Sequence, residues 1–80
     1  MNKNERVTLS VTEWKTCVLL MRDYSVADIV VIRNQSKHTI MGHNKSIRTK
    51  TKCANIYAAV LTVYRLGLIT EDDILYAVID

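Results

Sequence analysis

The chain is predicted to be all-α, with four helices forming a bundle and a fifth added at the C-terminal end. Three observations carry this. Pro and Phe are absent and Gly occurs only at Gly42 and Gly67 in 80 residues, too few turn formers for a fold of many tight hairpins. Apolar residues recur at three- and four-residue intervals, the period of a helix buried on one side. Each such run follows a Ser, Asn or Thr placed to cap it. Hydrophobic residues make up 49% and charged residues 24%, an ordinary globular balance. A chain this short hides only about 60–65% of its unfolded surface. It therefore holds a single domain, residues 1–80, with its core over 9–69 and a helical extension over 70–80.

Ser10 with Glu13 forms a capping box, each side chain satisfying a backbone N–H that the first turn leaves free. The helix it opens carries Trp14, Cys17, Val18 and Met21 at i, i+3, i+4 and i+7 and ends near Asp23–Tyr24. Ser25 with Asp28 opens a short second helix, buried through Ile29, Val30 and Ile32 and finished at Arg33–Asn34–Gln35. Ser36 caps a third helix running to about Thr51, with Ile40 and Ile47 inward. Its other side carries Met41, Lys45, Arg48 and Lys52 as one exposed, mostly basic stripe. Asn55 caps the fourth helix, which reaches Leu66 and ends on Gly67 as a left-handed cap. Ala59, Val63 and Leu66 supply its core side, while Tyr57, Leu61 and Tyr64 form a second apolar stripe. That stripe needs a cover: the fifth helix, a second subunit, or both, with the fifth helix enlarging the interface. Thr70 with Asp73 opens the fifth helix, which carries Ile74, Leu75 and Val78 and is acidic at its start as the helix dipole prefers.

The net charge of +3 conceals a partition. Residues 1–28 balance four bases with four acids. From Ile29 to Thr70 the bases are Arg33, Lys37, Lys45, Arg48, Lys50, Lys52 and Arg65, without one acid, and residues 71–80 hold four acids and no base. Lys37, Lys45, Arg48 and Lys50 thus lie on the third helix with no acid to pair them. Such a stretch is the electrostatic footprint of a site for a polyanion, most simply nucleic acid, although a solvated basic face has the same composition.

Other chemistries lack their residues. Cys17 and Cys53 are too few for a disulfide framework and sit in apolar helical settings. Their spacing with His38 and His43 matches no metal motif. No apolar run approaches a membrane span, and the start MNKNER lacks the apolar segment of a signal peptide, so a cytoplasmic protein is expected. Neither paired carboxylates, nor a nucleophile beside a base, nor a glycine-rich phosphate loop is present. The expectation is a protein that is not an enzyme and needs no cofactor.

A short helix, a three-residue turn and a longer Ser-capped basic helix form the helix-turn-helix pattern. Leu9, Ser10, Glu13, Ser25, Ile29, Ser36, Thr39, Ile40, His43, Ile47, Lys50, Asn55 and the run Leu66-Gly67-Leu68-Ile69 together resemble, without a gap, the LuxR/GerE-type DNA-binding domain. The resemblance spans Leu9 to Ile69, about three quarters of the chain. It implies a four-helix bundle that binds duplex DNA as a dimer and regulates transcription. It further implies that helix 36–51 enters the major groove, with Met41, Gly42 and Lys45 facing base edges. Ser36, Thr39, His43 and Lys50 would hold the DNA backbone, and Lys37, Arg48 and Lys52 are further candidates for phosphate. The outer face of the fourth helix, Tyr57, Leu61 and Tyr64, would be the dimer contact.

The departures from that pattern are Arg33, Gln35 and Thr51 at usually apolar positions and Asp23 in place of a glycine. Gly42 costs roughly 1 kcal/mol relative to Ala inside a helix. With Met41 and Gly42 in reading positions, Lys45 alone offers a clear hydrogen-bonding group for a base, most naturally guanine. His43 also reads as a core histidine satisfied by a neighbour, and Met41 as packing filler. Two functions are expected from these residues. One is a stand-alone bacterial transcription regulator, homodimeric and without an N-terminal receiver or ligand-binding domain. The other is an interaction protein that forms a heterodimer with a full-length LuxR-type regulator and changes that partner's DNA binding.

Overall fold

A computed structural model describes residues 6–80; the polar start at Met1–Glu5, on which the signal-peptide reading rests, lies outside the described residues. The fold is all-helical. In order come α1 (Val11–Met21), α2 (Val26–Arg33), α3 (Lys37–Thr51), α4 (Ile56–Arg65) and α5 (Glu71–Tyr76). Every expected N-cap is in place. Ser10, Ser25 and Thr70 form full capping boxes with Glu13, Asp28 and Asp73. Ser36 accepts from the Thr39 amide, and Asn55 from the Tyr57 amide.

The four connections share one device that explains how a chain with two glycines turns so often. Asp23, Asn34, Lys52 and Gly67 each adopt positive φ, between 51° and 77°. Beyond each, the next amide donates back five residues: Tyr24 to Leu19, Gln35 to Val30, Cys53 to Arg48 and Leu68 to Val63, at 3.0 to 3.2 Å. This 6→1 bond closes a Schellman-type end and satisfies carbonyls the helix would otherwise leave open. Only the last of these turns uses glycine, and Asn34 is the next most tolerant type.

Helix α3 packs against α1, α2 and α4. Ile47 joins Cys17, Val18, Ala59, Val60, Val63 and Ile69 in the larger buried cluster. Ile40 joins Leu19 and Ile29 in the smaller one. Trp14 is half-buried, its indole N–H donating to the Leu68 carbonyl at 3.1 Å.

The C-terminal segment departs from expectation. Helix α5 ends at Tyr76, and Leu75 and Val78 are 65% and 89% exposed; Ile74 and Ile79 pack on the core instead. The helix leans on α1. Arg22 fixes it there, its guanidinium donating to the carbonyls of Asp73, Ile74 and Ala77. Lys15 pairs with the Asp80 carboxylate at 3.0 Å, and Arg33 donates to the Asp80 backbone oxygen. One acid of the tail, Asp80, thus answers a base on α1, while Arg22 and Arg33 hold the segment by its backbone oxygens. Among the described residues no helix is long and apolar enough to cross a membrane.

Candidate nucleic-acid interface

Helix α3 is sided by its own sequence. Ile40, Asn44 and Ile47 recur at i, i+4 and i+7 and are buried. The opposite side therefore faces water, and Lys37, His38, Met41, Gly42, Lys45 and Thr49 are exposed. A Cβ added at Gly42 would meet nothing within 4 Å, so no packing within the fold requires glycine there. At the N-terminal end, Ser36 Oγ accepts from the Thr39 amide at 3.1 Å and lies 2.9 Å from Thr39 Oγ1.

The bases of α3 divide into two groups. Lys37 and Lys45 are exposed and enter no ion pair among the described residues. Arg48 is half-buried and turned along the helix, donating to Asn44 Oδ1 at 2.9 Å and toward the Ala54 carbonyl at 3.4 Å. Lys50 reaches Glu13 Oε1 at 2.6 Å. The expectation that no acid pairs these bases is corrected at this position: the partner comes from another helix. Lys52 is exposed at the left-handed end of α3. His43 is half-buried with Nδ1 3.5 Å from Thr16 Oγ1, whose hydrogen goes to the Thr12 carbonyl. Of the residues expected to hold phosphate, Ser36, Lys37 and Thr39 cluster at the start of α3, whereas Arg48, His43 and Lys50 have contacts inside the fold.

Glu13 ties α3 to α1. Sequence reasoning saw in it only a capping carboxylate, yet it is 6% exposed. One oxygen takes the Ser10 amide and Lys50, and the other takes the Ser46 hydroxyl. Burial alone would raise its pKa. The hydrogen bonds from Lys50, Ser46 and the Ser10 amide, with the Lys50 charge, outweigh that and hold the carboxyl at about 2. The acid-free run from 29 to 70 was the one available signal, since a partner for α3 had to come from elsewhere. Nearby, burial first and the Glu13 charge second push the Cys17 thiol up to about 12, as befits an inert core cysteine. Among the described residues no group of three or more His, Cys, Asp or Glu could hold a metal ion.

The second stripe lies on α4. Ala59, Val60 and Val63 are buried, while Tyr57, Leu61 and Tyr64 are 72%, 45% and 36% exposed. Leu66, expected on the core side, is 55% exposed, because the helix has already turned into its cap at that residue. Helix α5 does not cover the stripe. It stands beside it and leaves a groove of about 330 Å³ lined by Met21, Tyr64, Glu71, Ile74 and Leu75.

Neither family models, nor curated proteins, nor solved structures give a match to this chain.

Proposed function

We propose that this protein binds duplex DNA through the exposed side of α3, with α2 and α3 acting as a helix-turn-helix and Lys37, Met41, Gly42 and Lys45 toward the major groove. One observation carries the reading. The side of α3 turned away from the core presents Lys37 and Lys45, without an acid along the helix and without an internal ion pair for either. A positive ridge on a rigid helix, open at its N-terminal end, suits phosphate there and base edges further along. Asn44, Glu13 and the buried isoleucines hold the ridge to the bundle, so the helix docks as a preformed element. The resemblance to LuxR/GerE-type domains supports the same surface and adds pairing of two copies through Tyr57, Leu61 and Tyr64 as part of the proposal. In this reading the protein is a transcription regulator, active in the cytoplasm and not an enzyme.

The exposed α4 stripe also favours a second reading, in which the chain pairs with a different LuxR-type regulator and alters that partner's DNA binding. A mobility-shift titration of purified protein on duplex DNA over a range of salt concentrations separates the two. Binding should weaken with salt along a log–log line whose slope counts the phosphates engaged, about 0.9 per contact. Absence of any shift at low salt, or a shift indifferent to salt, would remove the first reading.

A further inference from the structure

The burial of α3 fixes which of its side chains point furthest from the bundle, and that line differs from the one its basic residues suggest. Ile40, Asn44 and Ile47 are buried. At about 100° per residue, their common direction lies roughly 200° around the helix from His38. On the opposite side run His38, Gly42, Lys45 and Thr49, at i, i+4, i+7 and i+11, and all four are exposed. Met41 and Arg48 stand about 90–110° off this outward line. Their neighbours agree with that placement: Arg48 is half-buried and donates to Asn44, and Lys37 sits to one side with Val26, Ala27 and Val30 of α2. The stripe of Met41, Lys45, Arg48 and Lys52 is therefore a flank, and Lys45 is its member nearest the outward line.

We propose that His38 is a second base-reading residue of α3, working with Lys45 across the gap at Gly42. This deepens the DNA reading proposed above and rests on it. The four outward residues differ in what they still offer. Gly42 has no side chain, and Thr49 donates its hydroxyl to the Lys45 carbonyl at 2.9 Å. The side chains of His38 and Lys45 enter no hydrogen bond or ion pair among the described residues. Both are donors, since an imidazole keeps at least one ring N–H and an ammonium has three. The base edge that sets two acceptors side by side in the major groove is guanine, with O6 and N7. Seven residues of helix separate the two side chains by about 10 Å, close to three base-pair steps of about 3.4 Å. The recognised sequence is then two guanines about three steps apart, with no side chain over the pairs that face Gly42. Open space around the Gly42 Cβ position lets the backbone there approach the groove floor, which brings the short His38 side chain within reach of a base.

The test selects bound sequences from a random duplex pool with the full chain, and repeats the selection with His38→Ala, Lys45→Ala and Met41→Ala. Wild type should enrich guanine at two positions with that spacing. His38→Ala should lose one of them and keep the other, its preference at the lost position falling about fivefold or more while affinity for random duplex stays nearly the same. Lys45→Ala should lose the other position. Because His38 is exposed, its variant should keep the wild-type melting temperature. Equal loss on selected and random duplexes in His38→Ala would make the residue a phosphate contact and overturn the proposal. A second preference that survives His38→Ala and disappears in Met41→Ala overturns it too, as does a wild type that selects no such pair. In these three outcomes the chain still binds DNA and the helix-turn-helix reading stands; a wild type that binds no duplex at low salt defeats that reading, and the role of His38 falls with it.

Discussion

Lys50 Nζ lies 2.6 Å from Glu13 Oε1 and joins the last turn of α3 to the first turn of α1. The carboxylate is nearly buried and the lysine is 37% exposed along its side chain, so the pair is neither a solvated surface bridge nor a fully sequestered one. With Ser10 and Ser46 it sets the seat of the helix proposed to read DNA.

This pair gives folding stability a pH dependence. Glu13 is held at about 2 in the folded protein against an ordinary 4.5, so its contribution is complete above about pH 4.5 and is lost as pH falls toward 2. A shift of that size corresponds to about 3 kcal/mol. Glu13→Gln should flatten that part of the acid limb when melting temperature is followed from pH 6 to 2. In a double-mutant cycle with Lys50→Met, coupling of about 1 kcal/mol or more is expected. Coupling near zero would mean the contact is not formed in solution.

Lys45 is the exposed base with the clearest base-reading chemistry. Lys45→Ala should reduce preference at one base pair by about 1–3 kcal/mol, whereas Lys37→Ala should weaken all sequences alike and flatten the salt slope by about one. Competition assays with specific and random duplexes measure both. Equal losses on both duplexes for Lys45→Ala would assign it to phosphate.

Gly42 separates stability from binding. Its added Cβ meets nothing within 4 Å, so Gly42→Ala should stabilise the fold by about 0.5–1 kcal/mol. The same methyl stands on the side of α3 proposed to face DNA, and affinity should fall. A stabilised variant with undiminished DNA binding would show that the groove does not approach this position closely.

Arg22 anchors the C-terminal segment by donating to three carbonyls, Asp73, Ile74 and Ala77. Arg22→Ala should cost about 2 kcal/mol and raise amide exchange in 71–80 while the amides of α3 and α4 keep most of their protection. Uniform loss of protection across the chain would mean that α5 unfolds with the bundle and not ahead of it.

The sequence by itself determined the helices and their starts, because a cap depends on groups three residues apart. Ser10 finds Glu13 and Ser25 finds Asp28 wherever the helices go. The sidedness of α3 was equally legible from the spacing of Ile40 and Ile47. Tertiary structure alone decided which bases remain available. Lys50 and Lys45 look alike in the chain, yet the approach of α1 places Glu13 against one and leaves the other in water. Glu13 and Lys50 are separated by 37 residues, and no local pattern encodes that distance. The place of α5 was decided in the same way. The sequence offered it as one cover for the α4 stripe, yet it leans on α1, and the three carbonyl acceptors that match the Arg22 guanidinium exist only once its chain path is set. Local hydrogen bonds are written in the order of residues, whereas the pairing of distant charges depends on how the packed helices bring them within reach.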